Sequence, residues 1–265
     1  MTVSFASPRE IVRRSNRFWH AMYYDALEDQ AHCQISFLDK ADRLYYNAAH
    51  ALSDAGDDTL KKIEAAFGAR GITPAVYGDP AAPGTLTDAL KKSGYVVVPE
   101  EQENWYGYIL PKTANENADA AGRLRVSCFQ PAPGPELDQF MAINAEVNAL
   151  PEALAHRLKE RLLTPKAGVK IWLFLACLDG VPAATTALGL VEDSGFTAEA
   201  ATLPRFQRKG LFLHLAGLAA QKAKDEGCSA MYVNCDREAF SNQGYLRFGY
   251  QSIFTRHYYQ KKRGM

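Results

Sequence analysis

The sequence lacks an excess of either charge: 30 Lys and Arg residues balance 30 Asp and Glu residues among 265, so the formal net charge is zero. A neutral chain has no overall field that would attract nucleic acid or an anionic membrane, so we expect neither as a partner. Any phosphate binding must therefore depend on a local cluster of cations.

Long apolar segments are also missing. The longest apolar run, residues 171–178, is far shorter than the stretch of about 20 residues that spans a bilayer. Residues 1–5 are not followed by the apolar run behind a basic flank that marks a secretion signal. We therefore expect a cytoplasmic protein.

Cysteines are few and scattered. The five of them are odd in number and lack the spacing of metal ligands, which argues against a disulfide framework and against a metal site. Three fall in strand-like apolar runs, so we expect buried, reduced thiols. The sequence also has no Walker-type phosphate loop and no Ser/His/Asp catalytic set.

The most informative stretch that is present is residues 203–212, Leu-Pro-Arg-Phe-Gln-Arg-Lys-Gly-Leu-Phe, which joins an apolar strand to a long helix with an apolar stripe. The first backbone N–H groups of a helix lack intrahelical partners, and the helix dipole places partial positive charge beside them. With Arg208 and Lys209 next to it, this helix start is suited to a phosphate-bearing ligand.

Hydrophobic periodicity predicts a mixed α/β order along the chain. In the first half it predicts helices at 9–27, 59–70 and 85–92, and strands at 33–38, 72–77, 95–98 and 105–110. In the second half it predicts helices at 136–150, 151–163, 209–226 and 237–248, and strands at 124–129, 169–178, 182–191, 196–203, 230–234 and 250–259. Asp179-Gly180 predicts a tight hairpin between two of these strands.

An internal repeat indicates two domains. The segment Ala89-Leu90-Lys91-Lys92-Ser93-Gly94-Tyr95 resembles Gly244-Tyr245-Leu246-Arg247-Phe248-Gly249-Tyr250, and each leads into a strand. Reading backwards from the two Gly-Tyr pairs, the same order of strand and helix appears twice. We therefore predict one domain at 1–110, a polar linker at 111–122 and a second domain at 123–265.

The second copy resembles the GNAT superfamily of acetyl-CoA-dependent N-acetyltransferases. Three motifs carry the resemblance: Leu203-Pro204 closing a strand, Gln207-Arg208-Lys209-Gly210-Leu211-Phe212 in place of Q/R-x-x-G-x-G/A, and Tyr245-Leu246-Arg247-Phe248-Gly249-Tyr250 in place of Y-x-x-x-G-F/Y. The resemblance implies an α/β (α+β) chain with two GNAT-like domains, each a mixed, mostly antiparallel central sheet flanked by helices. One departure is Phe212, which stands where the family usually has Gly or Ala.

The resemblance also implies a site for acetyl-CoA or another acyl-CoA, with no metal. The pyrophosphate would be held at the turn and helix start formed by Gln207, Arg208, Lys209, Gly210, Leu211 and Phe212. The pantetheine arm would run along Ala201, Thr202 and Leu203. Tyr245 would be the general acid that protonates the departing thiolate, and the alternative is that Tyr245 is an ordinary core residue.

Two further residues are assigned by position. Asn242 lies one helical turn before Tyr245, so we expect it either to hydrogen-bond the pantetheine or to be solvated. Glu199 is expected to face the same way as Ala201 and Leu203 in the strand, which makes it the candidate general base. A solvated acid at the strand edge is the alternative.

The first copy is expected to have lost this chemistry. Its counterpart of the basic turn, residues 52–58, contains Asp54, Asp57 and Asp58, and Leu90 takes the place of Tyr245. The predicted function is direct transfer of an acetyl group from acetyl-CoA to an amine of a small molecule or a protein, with the acceptor between the helices of residues 136–163 and the strand that carries Glu199. A non-catalytic CoA-binding or scaffold module is the alternative.

Overall fold

The computed structural model of the chain describes residues 4–30, 33–39, 46–51, 56–78, 85–111, 123–164, 166, 168–239 and 241–262. The first half contains α1 (Pro8–Met22), β1 (Ala26–Asp29), β2 (Cys33–Phe37), β3 (Ala48–Ala51), α2 (Asp57–Gly68), β4 (Ala75–Gly78), α3 (Thr85–Lys92) and β5 (Tyr95–Ile109). The second half contains β6 (Leu124–Phe129), α4 (Pro135–Val147), α5 (Glu152–Leu163), β7 (Lys170–Leu178), β8 (Val181–Val191), β9 (Ser194–Thr202), α6 (Leu211–Asp225), β10 (Ala230–Asp236), α7 (Ser241–Phe248) and β11 (Gln251–Lys261).

Contacts group these elements into two compact units. The N-terminal unit comprises Ala6–Tyr106, Asn234–Asn242 and Ser252–Met265, and the C-terminal unit comprises Met1–Phe5, Gly107–Val233 and Gln243–Gln251. This grouping differs from a linear division of the chain because β11, which follows α7 in sequence, pairs with β4. The linear boundaries at residues 110 and 122 stay a prediction, and the predicted linker lies outside the described residues from residue 112 onward.

The N-terminal unit has its strands in the order β1-β2-β3-β4-β11. All neighbouring pairs are antiparallel except β3 and β4, which run parallel because α2 connects them as a crossover. Side chains from β2, α2 and β4 meet in a buried apolar core that includes Phe37, Phe67 and Tyr77. This core holds the sheet and the helix together.

The C-terminal unit has its strands in the order β10-β9-β8-β7-β6. Its one parallel pair among the described strands is β9 and β10, which α6 connects. Asp179 and Gly180 have φ values of 52° and 80°, as a tight turn between β7 and β8 requires, so the predicted hairpin is confirmed. Each unit therefore contains a strand–helix–parallel strand motif, which supports the repeat.

The second part of the repeat is also similar in the two units. Gly94 and Gly249 have φ values of 79° and 112°, a region that favours glycine, and each is followed by a buried tyrosine. These tyrosines, Tyr95 and Tyr250, begin or precede the strands β5 and β11. The Gly-Tyr pair thus ends a helix and starts a strand in both places.

The largest differences from the predicted bounds are found at three places. The first helix ends at Met22, because residues 26–29 form β1. Residues 95–98 and 105–110 belong to one long strand, β5, which continues through the Pro and Glu residues between them. The helix predicted to begin at residue 237 begins at Ser241. Among the described residues, no helix is both long enough and apolar enough to cross a membrane.

Candidate functional site

The basic turn begins where β9 ends. A single 3₁₀ turn, Pro204–Phe206, leads from the strand towards α6. The side chain of Gln207 is directed back to the strand, because its Nε2 donates to the carbonyl of Thr202 at 3.3 Å. Arg208 and Gly210 have φ values of 61° and 79°, and this left-handed backbone reverses the chain before the helix. Arg208 and Lys209 are exposed.

The first turn of α6 is the positive end of a 15-residue helix. Gly210 is its N-cap residue, and no side chain among the described residues caps it. The N–H of His214 donates to Gly210 at 3.1 Å, so the N–H groups before it are those that a helix leaves unpaired. The backbone at Leu211 and Phe212 can therefore receive an anion.

A β-bulge lies in β9 just before the basic turn. The pairing register shifts between Ala187↔Ala198 and Thr185↔Ala201, so both Glu199 and Ala200 oppose a single residue of β8. Glu199 occupies the left-handed region with φ 52°. Its facing was predicted to match that of Ala201, and this is wrong because the extra residue breaks the alternation between them.

Two threonines of β8 bind the carbonyls around the bulge. Thr185 Oγ1 donates to the carbonyl of Glu199 at 3.2 Å, and Thr186 Oγ1 donates to that of Ala198 at 3.3 Å. Thr185 Oγ1 also accepts from Nδ2 of the buried Asn144 on α4, at 3.0 Å. The threonine side chains of β8 thus stabilise the bulged backbone of β9, whose pairing with β8 is interrupted there.

A small cavity lies beside the bulge. The strands contribute Thr185, Thr186, Thr197, Ala200, Ala201 and Thr202 to its lining, and the helices contribute Phe212, Leu215, Ala216 and Tyr245. Four residues predicted for the site, Ala201, Thr202, Phe212 and Tyr245, therefore meet in one space. Glu199 and Asn242 are not among its lining residues.

Tyr245 is held by two aromatic neighbours. Its ring is only 4% exposed and lies edge-on to Phe212, with centroids 4.9 Å apart, and to Tyr250, with centroids 5.1 Å apart. Its carbonyl accepts from the N–H groups of Gly249 and Tyr250 at the end of α7. The ring therefore has a defined position at the cavity wall.

Phe212 fits because the neighbouring helix lacks a side chain. A Cβ built on Gly244 would approach Phe212 Cε1 to 2.6 Å, which is well inside van der Waals contact. The family's small residue at the position of Phe212 is thus replaced by a ring that lies against α7. A glycine inside a helix was the sequence signal for this close approach.

The remaining predicted residues lie at the edges of this site. Leu203 is buried against Ile143, Leu175 and Ala201, and its N–H donates to the carbonyl of Ala183 at 3.0 Å. Its N–H is therefore already used within the fold. Leu211 is buried in the first turn of α6.

The side chain of Asn242 hydrogen-bonds to the turn that precedes α7. Its Nδ2 lies 2.8–2.9 Å from the carbonyls of Asp236, Arg237 and Ala239, so its N–H groups are directed to the chain segment before α7. Its Oδ1 is buried and has no hydrogen-bond partner among the described residues. Only this oxygen is left to accept a hydrogen bond from a ligand.

The counterpart region of the N-terminal unit has different chemistry. The first turn of α2 carries Asp57 and Asp58, which pair with Lys92 at 3.7 Å and Lys61 at 3.2 Å. Asp54 and the rest of residues 52–55 lie outside the described residues. Leu90 is fully buried in the apolar core of this unit.

The N-terminal unit also contains a buried polar cluster that the sequence did not indicate. Arg256 donates to His50 Nδ1 at 3.0 Å and to Glu103 at 2.6 Å. Because arginine can only donate, His50 Nδ1 accepts, and its Nε2, 3.2 Å from Ser36 Oγ, carries the proton. Burial, and then the charge of Arg256, hold the pKa of His50 well below its usual value. His50 is therefore neutral in the folded protein.

The cysteines give no sign of a nucleophile. All five are free, and burial raises the pKa of Cys33 and Cys228 to about 11 and that of Cys235 to about 12. Thiols with raised pKa are poor nucleophiles at neutral pH. Cys128 is exposed, so the prediction of buried thiols is wrong for this residue.

The C-terminal half matches a known family. Residues 138–250 match the model of the acetyltransferase (GNAT) family. No curated protein sequence matches the chain.

Solved structures of GNAT proteins share the fold over nearly the whole chain. A GCN5-related N-acetyltransferase from Kribbella flavida has a TM-score of 0.66 at 17% identity, with 96% of this chain and 95% of that chain covered. One from Sphaerobacter thermophilus has a TM-score of 0.66 at 13% identity, covering 98% and 87%. A tandem GNAT protein from the clavulanic acid biosynthesis pathway has a TM-score of 0.64 at 11% identity, covering 88% and 79%. The predicted mixed, mostly antiparallel GNAT-like fold is confirmed.

Proposed function

We propose that the chain is an acyl-CoA-dependent N-acyltransferase that moves an acetyl group from acetyl-CoA directly to an amine. The observation that carries the proposal is the cavity that brings Tyr245 and the bulged strand β9 together beside the basic turn. The match of residues 138–250 to the GNAT family model supports the same reaction class.

The donor fits the polar groups that the fold leaves available. Arg208, Lys209 and the uncapped start of α6 would hold the pyrophosphate, with charge-assisted and backbone hydrogen bonds. Gln207 would support this turn through its bond to Thr202 rather than by touching the phosphates. The arm of the donor would lie along Ala201, Thr202 and Leu203, and Asn242 Oδ1 would accept one hydrogen bond.

Tyr245 is proposed as the general acid. The acyl-CoA supplies a thioester, and the sulfur that leaves it needs a proton. A phenol has an ordinary pKa of about 10 and a thiol one of about 8.5, so this proton transfer is uphill by only about 2 kcal/mol. A tyrosine within hydrogen-bond reach can therefore act as the acid. The tight aromatic contacts around Tyr245 would hold its hydroxyl in one place.

Glu199 is proposed as the general base, acting through water. It lies in the bulge and outside the cavity lining, which is compatible with a role through water rather than by contact with the donor. It would take the proton that the amine loses when its nitrogen bonds to the acyl carbon. The acceptor would approach from the side of α4 and α5, and it would be an amine of a small molecule or a protein.

The N-terminal unit is proposed to be a degenerate copy that does not bind CoA. Acidic residues at the start of α2 and the buried Leu90 support this division of roles. A second candidate function is a CoA-binding module without turnover, which the ring of Phe212 in the cavity wall favours.

Release of free thiol from acetyl-CoA, measured across a panel of small amines and lysine-containing peptides, distinguishes the two functions. We expect amine-dependent release with at least one acceptor class. Binding of CoA in calorimetry with no thiol release from any acceptor would favour the module without turnover.

A further inference from the structure

A buried hydroxyl in the cavity takes no part in the proposed mechanism. Thr197 is only 6% exposed, and its Oγ1 is buried without a hydrogen-bond partner among the described residues. Thr197 lines the cavity together with Leu215, Ala216 and Tyr245. A buried hydroxyl is stable only where it finds a polar partner, and the described residues supply none to Thr197.

The neighbouring threonines differ from Thr197 in this respect. The hydroxyls of Thr185 and Thr186 already donate to carbonyls of the bulge. Thr186 and Thr197 share one face of the sheet, since Thr197 pairs with Leu188, two residues from Thr186. Thr186 therefore provides a matched control: the same residue type, lining the same cavity, with its hydroxyl already engaged.

The position of Thr197 places it far from the basic turn. Thr202 is bonded to that turn through Gln207, and Thr197 lies five residues earlier, roughly 16 Å away along an extended strand. On the helix side, Phe212 is in the first turn of α6, whereas Leu215 and Ala216 are in the second. A donor whose phosphates lie at the basic turn would thus direct its acyl end towards Thr197.

We propose that the Thr197 hydroxyl makes the inner end of this cavity selective for acetyl over longer alkyl acyl groups. The inference rests on the proposed function, since an acyl-CoA is the occupant. An alkyl chain that reached Thr197 would surround its hydroxyl with methylene groups, keep water from it and offer it no hydrogen bond, which is unfavourable. An acetyl group is too short to cover it.

The test compares dissociation constants of acetyl-CoA and hexanoyl-CoA, measured by calorimetry without acceptor. Wild type, Thr197→Val, Thr197→Ser and Thr186→Val are compared, and valine keeps the shape of threonine without its hydroxyl. We expect wild type to prefer acetyl-CoA and Thr197→Val to shift the ratio of the two constants about tenfold towards hexanoyl-CoA. Thr197→Ser and Thr186→Val should keep the wild-type ratio.

An unchanged ratio in Thr197→Val, or an equal shift in Thr186→Val, would overturn the inference and leave the proposed function standing. A shifted ratio without thiol release from any amine would support the selectivity and contradict the transferase. If wild type binds neither thioester, both proposals fail.

Discussion

The ring of Phe212 lies against Gly244 so closely that a Cβ at position 244 would come within 2.6 Å of it. The same ring packs edge-on to the next residue, Tyr245. The large ring of Phe212 in the first turn of α6 therefore fits against α7 because Gly244 has no side chain. Together, Phe212 and Gly244 form one side of the surroundings of Tyr245, the proposed general acid.

This pairing predicts that the effect of one substitution depends on the other residue. Gly244→Ala should destabilise the protein by about 1–3 kcal/mol, because the added methyl group clashes with the ring. In the Phe212→Ala background the same change should stabilise by up to about 1 kcal/mol, since alanine is the better helix former. Urea unfolding of the four proteins gives the coupling free energy. Equal effects of Gly244→Ala in both backgrounds would contradict the contact.

The basic turn predicts a specific loss of CoA affinity. Replacing both Arg208 and Lys209 by Ala should weaken CoA binding about tenfold or more, because two charge-assisted contacts to phosphate are removed. Calorimetry with CoA measures this directly. Arg205→Ala is the matched control, since Arg205 is an exposed cation of the same loop that lies over the ring of Phe206. Unchanged affinity in the double variant would place the phosphates elsewhere.

The proposed base predicts a loss of rate without a loss of binding. Glu199→Gln should lower kcat by roughly 10² or more and leave CoA affinity unchanged, because the amide cannot accept a proton. Glu192→Gln is a matched control, since Glu192 is an exposed glutamate that also has positive φ, 58° against 52° for Glu199. Equal turnover in the two variants would remove Glu199 from the mechanism.

The buried cluster of the N-terminal unit predicts a loss of stability in mild acid. Burial, reinforced by Arg256, keeps the pKa of folded His50 well below 6.5, whereas in the unfolded chain His50 takes up a proton near that value. The unfolded state then binds more protons, so stability is retained above about pH 6.5 and falls as the pH drops, by up to about 1.4 kcal/mol per pH unit.

Urea unfolding at about pH 7.5 and about pH 5.5 measures this pH dependence. His50→Gln should have a shallower dependence, because glutamine can accept from Arg256 without titrating. His156→Gln, at an exposed histidine paired with Glu160, should keep the wild-type dependence. The account is refuted if His50→Gln loses as much stability in acid as wild type.

Most of the fold could be predicted because apolar periodicity follows which face of each element is buried. Helix α3 and the strands β7 and β8 lie close to their predicted bounds. The middle of the long strand β5 was not predicted, because Pro99 and the acidic residues after it have low strand propensity. In the folded protein, pairing with neighbouring strands outweighs this propensity. The repeat and the basic turn were also visible, since both are local patterns.

The geometry of the site could be predicted only in part. The bulge at Glu199 depends on which residues of β8 lie opposite, and no local pattern in β9 determines that register. Asn242 was expected either to hydrogen-bond the pantetheine or to be solvated, but its amide N–H groups bind carbonyls of the preceding turn. Helix α7 starts at Ser241, later than its apolar pattern indicates. Thr197 cannot be distinguished from other strand threonines in the sequence. Only the structure shows that its buried hydroxyl has no hydrogen-bond partner among the described residues.

The most direct test of the central proposal is the rate of thiol release by Tyr245→Phe, measured with saturating acetyl-CoA and an accepted amine. The variant keeps the ring between Phe212 and Tyr250 and loses only the hydroxyl, so CoA affinity should be unchanged. Tyr250→Phe, whose hydroxyl lies 3.9 Å from Met231 Sδ, serves as the control and should keep the wild-type rate. The proposal predicts a fall in kcat of roughly 10²- to 10⁴-fold for Tyr245→Phe. A rate equal to that of wild type would contradict it.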